Sequence, residues 1–197
     1  GLVSLSGFPN NNKIREITIP GNIMQIGRST FDHCAELKLV VFEGDAPFIH
    51  NAPFTGVTAD VAYPKDFDGW DSSILVDYQG DLTWRPYGKP IFTPELQHYY
   101  GRMGTTATFS AHTDIETGWP LYQWEYSTDY GKTWQPYTGE GADAVSISIA
   151  VTQDTIETMY RCLVTDDFTG KSTMSREVQI RTPILDSGHV FLENDEV

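Results

Sequence analysis

The feature that most constrains the fold of this chain is an internal repeat in its first third. When the sequence is aligned with itself at a period of 23, the first 57 positions superimpose and similar side chains come into line. The aligned sets are Val3, Ile26 and Ile49; Phe8, Phe31 and Phe54; Asn11, Cys34 and Val57; and, over two copies, Ile14 with Leu37, Ile17 with Val40 and Ile19 with Phe42. A further unit at 61–64 fits after a one-residue slip. Repetition at this period is typical of a solenoid.

Each repeat is interpreted as a short strand, a turn, and a segment that ends in Phe. Successive side chains of a strand point to opposite faces, so Ile17 and Ile19 share one face while Glu16 and Thr18 share the other. A single strand of this kind cannot bury its apolar face, whereas stacked copies can. Two unrelated β-hairpins are the alternative, and they would not account for six apolar positions aligned at one period.

The repeat resembles a known family. The unit Ile14-x-x-Ile17-x-Ile19-Pro20, followed by Ile26-Gly27 and Phe31-x-x-Cys34-x-x-Leu37, resembles the BspA-type leucine-rich repeat of bacterial surface proteins, over residues 1 to about 64. In such repeats the Asn or Cys, here Asn11 and Cys34, lies where the backbone turns inward. Its side chain satisfies buried amide groups of the loop or simply fills space.

The resemblance also implies a binding surface, because the outward side chains of stacked strands form the usual recognition face of these proteins. The outward residues are Glu16 and Thr18, then Leu39 and Val41, then Asp60 and Ala62. With Leu39 and Val41 outward, the face would carry an apolar patch of the kind that marks contact sites. The alternative is that a neighbouring repeat or the second domain covers this patch.

Residues 65–88 break the period and are rich in turns and aromatic side chains. We interpret 65–87 as the C-terminal cap of the solenoid, with Trp70 and Trp84 covering its open core. The run Asp66-x-Asp68-Gly69 has part of the pattern of a calcium loop. Trp70, however, stands where an EF-hand loop needs a third oxygen ligand, so we expect no metal there.

A second domain is predicted from residue 88 to residue 183. Pro86, Gly88 and Pro90 mark the boundary, and strand signals then recur about every ten residues. The predicted strands are 105–112, 121–127, 133–137, 145–151, 160–165 and 171–181, with a first strand near 91–93. Period-two alternation with turns at this spacing indicates an antiparallel β-sandwich. The predicted fold class is therefore mainly β: a short solenoid with its cap, followed by a sandwich.

The second domain resembles the immunoglobulin-like modules of bacterial extracellular proteins. The resemblance rests on the run Pro120-Leu121-Tyr122-Gln123-Trp124-Glu125-Tyr126-Ser127, on Gly131-Lys132-Thr133-Trp134, and on the Tyr160-Arg161-Cys162 of a tyrosine corner. It implies that Trp124 and Tyr160 are structural core residues. Phe109 stands where the family has the cysteine that would pair with Cys162, so no inter-sheet disulfide is expected. Cys34 and Cys162 are expected to be buried and unpaired.

The two ends of the chain carry separate expectations. The chain begins with Gly1, which we expect to be a processing or cloning scar on a fragment. Residues 184–197 contain Asp186, Glu193, Asp195 and Glu196 but no Lys or Arg, and they are predicted to be an acidic tail or one extra strand.

Charge and motifs argue against several functions. The chain has 27 Asp and Glu against 13 Lys and Arg, a net charge of -14, which repels nucleic-acid backbones and anionic lipid. The sequence contains no run of 18 apolar residues, so it does not predict a membrane-spanning helix. The five histidines lack metal-ligand spacing, and we find no nucleophile elbow, phosphate loop or dinucleotide fingerprint. We therefore expect no enzyme, cofactor or metal.

The two resemblances together imply a non-catalytic bacterial protein, extracellular or at the cell surface and monomeric. The repeat face would bind a host or matrix protein, with the immunoglobulin-like domain as spacer or accessory. Aromatic residues at turns or strand ends, Trp119, Tyr130 and Trp134, favour a second interpretation, a carbohydrate-binding accessory region of a larger extracellular protein. In a third interpretation both domains are structural units of a stalk.

Overall fold

The computed structural model of the chain describes residues 3–182, 184–186 and 189–191. Within these ranges the protein is all β, with short strands joined by turns and no helix. Contacts divide the described residues into two compact units, the first formed by the residues up to 88 with 115–119 and the second by 89–114 with the residues from 120 onward. Each unit is built around its own apolar cluster.

The first unit is a solenoid-like stack of parallel strands. Its strands are β1 (Ser4–Leu5), β2 (Glu16–Ile19), β3 (Gln25–Ile26), β4 (Leu39–Phe42), β5 (Phe48–Ile49), β6 (Thr58–Pro64) and β7 (Asp81–Tyr87). Strands β2, β4, β6 and β7 form a four-stranded parallel sheet in that order. Strands β1, β3 and β5 form a three-stranded parallel sheet. From β1 to β6 the chain thus visits the two sheets alternately, and β7 then follows β6 in the same sheet.

The register of the four-stranded sheet follows the sequence repeat. Ile17 pairs with Val40 and Val61 pairs with Trp84, so both pairs keep the period of the sequence repeat. Val40 pairs with Val61, which comes two positions earlier than that period. The register therefore slips by two residues here, whereas the sequence analysis predicted a slip of one. The sequence interpretation of 65–87 as a cap outside the period is wrong for β7. That strand restores the original period and is the fourth strand of the stack.

The core of the first unit contains a ladder of phenylalanine rings from successive turns. The Phe8 and Phe31 ring centroids are 5.9 Å apart, and those of Phe31 and Phe54 are 5.2 Å apart. Repeated backbone bonds hold these turns together, since the Phe8 N–H donates to the Thr30 carbonyl and the Phe31 N–H to the Pro53 carbonyl. The three aligned phenylalanines therefore mark equivalent positions in the stack.

The predicted alignment of Val3 with Ile26 and Ile49 is wrong. Leu5 pairs with Ile26, which in turn pairs with Ile49, and Val3 is 42% exposed. The first connection is two residues shorter than the period, and a shift of two preserves the alternation of faces. The alternation pattern alone could not distinguish Val3 from Leu5.

Trp70 and Trp84 lie together at the β7 side of the core. Their ring centroids are 6.1 Å apart, and Phe42 lies 5.0 Å from Trp70 and 6.3 Å from Trp84. The Trp70 indole N–H donates to the Gly44 carbonyl, and that of Trp84 donates to the Val76 carbonyl. Both indoles therefore bury ring surface while satisfying their polar group.

The second unit contains two sheets that share one core and a separate two-stranded hairpin. Its strands are β8 (Tyr99–Tyr100), β9 (Thr106–Ser110), β10 (Pro120–Ser127), β11 (Gln135–Pro136), β12 (Ser146–Ala150), β13 (Met159–Asp166), β14 (Ser172–Met174), β15 (Val178–Arg181), β16 (Ile184–Asp186) and β17 (His189–Phe191). One sheet runs β11-β10-β13-β15-β8 with β14 beside β13, and the other pairs β9 with β12. The alternating inward residues of both sheets form the core between them.

Two predicted strands of this unit differ in the structure. The run 171–181 is divided into β14 and β15 by an irregular segment at 175–177, where the Cys162 N–H donates to the buried Ser175 hydroxyl. The strand predicted near 91–93 is a single bridge between Phe92 and Thr113. In the predicted tail, β16 and β17 pair as an antiparallel hairpin, and the remainder of 184–197 lies outside the described residues.

Candidate functional site

Two rows of side chains project outward from the four-stranded parallel sheet. By register the first row is Glu16, Leu39, Asp60 and Thr83, and the second is Thr18, Val41, Ala62 and Arg85. In the first row Glu16 and Thr83 are exposed, and Leu39 and Asp60 are half-buried. Neighbouring strands lie about 4.8 Å apart, so this row is a strip about 14 Å long. Sequence reasoning missed Thr83 and Arg85 because β7 was placed in the cap.

The predicted apolar patch of Leu39 and Val41 is wrong for Val41. Val41 is 6% exposed and its neighbour in the row, Ala62, is fully buried. Val41 and Ala62 are therefore inaccessible, and Leu39 is the one apolar side chain of the predicted patch that stays partly exposed. Thr18, at the β2 end of the same row, remains exposed.

Arg85 is held in place at the β7 end of the second row. Its Nε donates to the Asp60 carboxylate at 2.8 Å, and its Nη1 donates to the Thr117 carbonyl at 3.2 Å. The guanidinium also lies 5.4 Å from the centre of the Trp119 ring. A partly exposed ion pair contributes little stability. It does fix the position of Arg85 and balance the charge of Asp60.

Trp119 is less available for stacking than its position on a turn suggested. It is half-buried, belongs with 115–119 to the first unit, and has the Arg85 guanidinium over its ring. A side chain at Gly118 would collide with the Pro86 carbonyl oxygen, so the segment lies directly against the end of β7. Trp119 therefore anchors this segment.

Tyr130 is the most exposed of the predicted binding aromatics, at 67%. It lies in a turn at a φ of 59°, and its hydroxyl donates to the Glu157 carboxylate at 2.9 Å. That hydrogen bond and the charge of Glu157 raise the pKa of the Tyr130 phenol. The ring is thus presented to solvent in a fixed orientation.

The Tyr130 turn is organised by Asp129. The Asp129 carboxylate accepts hydrogen bonds from the Thr133 hydroxyl at 2.6 Å, the Thr133 N–H at 2.9 Å and the Ser127 hydroxyl at 2.7 Å. These bonds, those from Thr133 first, lower the pKa of Asp129 to about 2. Bonds to the charged form favour it, so the turn is stable when Asp129 is ionised.

Trp134, the third aromatic of the carbohydrate interpretation, also lies beneath an arginine. The Arg161 guanidinium stands 4.0 Å from the ring centre, and Arg161 Nε donates to the Glu125 carboxylate at 2.7 Å. The Trp134 indole N–H donates to the Gly131 carbonyl at 3.1 Å. One face of each of the two tryptophans is therefore occupied by an arginine.

The remaining residues singled out in the first unit have packing or hydrogen-bonding roles. Cys34 is fully buried, and its thiol lies 3.0 Å from the Phe8 carbonyl of the preceding turn, which it can donate to. The Asn11 side chain accepts from the Lys13 N–H within its own turn. The two aligned positions thus satisfy backbone groups, one between turns and one within a turn.

In the second unit the predicted core residues do meet. Trp124 is fully buried and its indole N–H donates to the Ala144 carbonyl at 2.9 Å. Phe109 lies 5.4 Å from the Tyr160 ring, and burial raises the pKa of Tyr160 to about 12. Cys162 and Cys34 are free and buried, and burial raises the pKa of the Cys162 thiol to about 12. Phe109 therefore packs in the core against β13, the strand that carries the free thiol of Cys162.

Sequence reasoning missed a groove beside the three-stranded sheet of the first unit. Phe48 is 63% exposed and lies edge-on to His50, and the Gln25 amide donates to His50 Nε2 at 2.7 Å. Phe48 and His50, together with Arg28 and Tyr78, border a cavity of about 420 Å³. The only sequence signal for this groove is the alternation of side chains along β5, which places Phe48 outward next to the inward Ile49.

A second cavity that sequence reasoning missed lies in the second unit. It has a volume of about 310 Å³, and three of its lining residues are Tyr126, Tyr137 and Tyr160. The sequence signal was present, because Tyr126 and Tyr160 lie on the inward faces of their strands. Nothing local to either strand shows that the ends of those strands leave a space.

The described residues contain neither a metal-binding cluster nor a membrane-spanning helix. Among residues 3–182, no three His, Cys, Asp or Glu side chains come together in a way that could hold a metal ion. The same part of the chain contains no helix with the length and apolar character needed to cross a bilayer.

The fold and surface define an all-β protein whose first unit is a solenoid-like stack of parallel strands. Comparison with known proteins adds no family to this description. The chain matches no protein-family model, and no curated protein matches it.

Proposed function

We propose that this chain is a non-catalytic binding module of a bacterial cell-surface or secreted protein. Its first unit would bind a partner protein through an outer strip composed of Glu16, Thr18, Leu39, Asp60 and Thr83. The observation that carries the proposal is that these side chains lie in register on one parallel sheet and remain exposed or partly exposed to solvent. Sites on regular strands hold their side chains more precisely than sites on loops.

The architecture supports the same proposal. Parallel strands that stack at the period of the sequence repeat, with a slip of two residues between β4 and β6, agree with the BspA-type leucine-rich repeat that the sequence resembles. In the second unit, Trp124 on β10 pairs directly with Cys162 on β13. That pairing agrees with the resemblance to bacterial immunoglobulin-like modules, which would act as a spacer or accessory. Fold resemblance does not determine a ligand, so the partner must be argued from the strip.

The chemistry of the strip favours a partner with basic and apolar groups. Glu16 presents a carboxylate and Leu39 presents methyl groups, while the negative charge of Asp60 is paired with Arg85. The whole chain carries a charge of -14, which accelerates association with positively charged partners. We therefore expect a host or matrix protein with a basic surface, and binding that weakens as salt rises.

The test is a binding screen of the chain against immobilised extracellular-matrix proteins, measured by surface plasmon resonance. The variants are Leu39→Asp and the double variant Glu16→Arg with Thr83→Arg. Both sites of the double variant are exposed, so it should fold normally. The matched control is Glu36→Arg, which makes the same charge change as the Glu16→Arg part of the double variant, at an exposed loop position outside the sheet. Circular dichroism and a thermal melt establish that each variant is folded.

We expect a hit whose affinity falls at least about tenfold, or about 1.4 kcal/mol, in the strip variants. The Glu36→Arg control should change it less than about twofold, as an exposed charge away from the interface does. A hit with equal affinity for the folded strip variants would overturn the proposal. Absence of binding to any matrix protein would also count against it and favour the structural stalk.

A further inference from the structure

The second unit contains an open cavity at one end of its core. Tyr126 on β10 lies directly opposite Tyr160 on β13, and Tyr137 follows β11, where its N–H donates to the Trp124 carbonyl at 2.8 Å. Tyr160 belongs to the apolar core, and the other two tyrosines pack against it. The cavity volume of about 310 Å³ lies at the lower end of the range for ligand sites, ~300–1,000 Å³. It therefore has room for a small ligand.

One wall of this cavity comes from the turn at 152–158, which is held by hydrogen bonds. The Thr155 hydroxyl donates to the Ala150 carbonyl at 2.6 Å and accepts from the Thr152 N–H at 2.8 Å. The Thr158 hydroxyl donates to the Asp154 carbonyl at 3.2 Å. A wall that is already ordered costs little entropy when a ligand binds.

The lining of the cavity combines aromatic surface with many oxygen atoms. Besides the three phenol groups, it contains the hydroxyls of Thr128 and Thr158 and the exposed carboxylate of Asp154. None of the lining side chains is Lys, Arg or His. The Tyr126 hydroxyl donates its proton to the Gln135 side chain, so it offers an acceptor oxygen to the cavity. Such a lining disfavours anions and suits a neutral ligand that donates several O–H bonds.

We propose that this cavity binds a neutral saccharide through a single pyranose ring. A pyranose presents C–H groups on its faces and hydroxyls around its edge. The C–H groups would pack on the tyrosine rings, and the hydroxyls would donate to Asp154 and to the tyrosine and threonine oxygens. Tyrosine suits this role because it joins an apolar ring to a polar tip.

A quaternary ammonium ion is the main competing ligand class, because aromatic side chains attract cations over their ring faces. Such an ion has no O–H group, so it would displace water from the acceptor oxygens of the lining without donating a hydrogen bond to them. Buried polar groups that lose water without a replacement bond are costly. The hydroxyl-rich lining therefore favours the saccharide. The site lies in the second unit and does not depend on the protein-binding strip of the first.

The experiment uses the full chain labelled with ¹⁵N. Glucose, galactose, mannose and N-acetylglucosamine are titrated separately to about 50 mM, since single-ring contacts often bind in the millimolar range. Choline is titrated in parallel as the cation probe. Saturation-transfer NMR detects binding, and amide shifts show where each probe binds.

Two variants and two matched controls locate the site. Tyr137→Ala removes one ring of the cavity and Asp154→Ala removes its carboxylate. The controls, Tyr100→Ala and Asp143→Ala, remove the same groups outside the cavity, Tyr100 at a half-buried position like that of Tyr137 and Asp143 at an exposed one. The amide spectrum shows whether each variant keeps its fold. If Tyr137→Ala does not fold, Tyr137→Phe, which retains the ring and removes the hydroxyl, replaces it as the test variant.

We expect at least one sugar to shift the amides of residues 126–128, 137–139 and 154–158. Tyr137→Ala should weaken that sugar about tenfold, Asp154→Ala should weaken it about threefold or more, and the controls should stay within about twofold. Loss of affinity in Tyr137→Phe would support a hydrogen bond from its hydroxyl. The proposal is overturned by four results: no sugar binds, the shifts lie elsewhere, folded cavity variants bind normally, or only choline shifts these amides.

Discussion

Replacing Phe31 with alanine tests whether the phenylalanine ladder holds the solenoid-like unit together. Phe31 is fully buried, and its ring lies between those of Phe8 and Phe54, at 5.9 and 5.2 Å. Phe31→Ala removes the central ring and leaves a space that the neighbouring turns cannot easily close. Their positions are fixed by backbone hydrogen bonds from Phe8 to Thr30 and from Phe31 to Pro53.

The magnitude follows from burial and from the cavity. Burying a whole phenylalanine side chain contributes about 1.5–3 kcal/mol of transfer free energy. The unfilled space raises the total for Phe→Ala in a core to about 3–5 kcal/mol. A domain is stable by only about 5–15 kcal/mol, so this one change removes a large fraction of the stability of the unit. Phe8 is half-buried, and Phe8→Ala should cost about 1–2 kcal/mol.

Native-state hydrogen exchange is the assay, because it gives free energies of opening for individual backbone amides. The amides of β4 and β6 report on the first unit. In Phe31→Ala their opening free energy should fall by about 3–5 kcal/mol. Phe31→Leu, which refills most of the volume, should recover more than half of that loss. Equal losses of opening free energy in Phe31→Ala and Phe8→Ala would refute the reasoning, since the fully buried central ring would then contribute no more stability than the half-buried end ring.

Three further predictions concern the turn of the second unit, the thiols and the close approach of two loops. The pKa of Asp129 is lowered to about 2, so its contribution to stability is present above its unfolded pKa of about 3.9 and is lost as pH falls towards 2. Thermal melts should therefore show wild type losing more stability than Asp129→Asn between those pH values. Cys34 and Cys162 are buried, so neither should react with a disulfide reagent at pH 8 until guanidinium unfolds the chain. A Cβ on Gly44 would lie 2.6 Å from the Gly21 Cα, so Gly44→Ala should lower the stability measured by urea unfolding by about 1–3 kcal/mol. Gly21→Ala, whose nearest contact is 3.2 Å, should cost less.

The strip and the cavity differ in how far the sequence reveals them. Glu16, Thr18, Leu39 and Asp60 could be assigned to the outward face because alternation along a strand is a local property of the backbone. The convergence of Tyr126, Tyr137 and Tyr160 could not be assigned, because it depends on where three strands end relative to one another. Thr83 was missed because the irregular segment before β7 hid the return of the repeat.

The sequence by itself determined the all-β class, the stacking period and the inward side chains of most strands. These follow from the spacing of apolar residues, which reflects the geometry of one strand and its copy. Tertiary structure alone decided that Val41 and Ala62 are buried, that Arg85 is fixed by Asp60 and Thr117, and that β7 completes the sheet. The physical reason is that local spacing orients a side chain, whereas its burial depends on which distant segment packs against it.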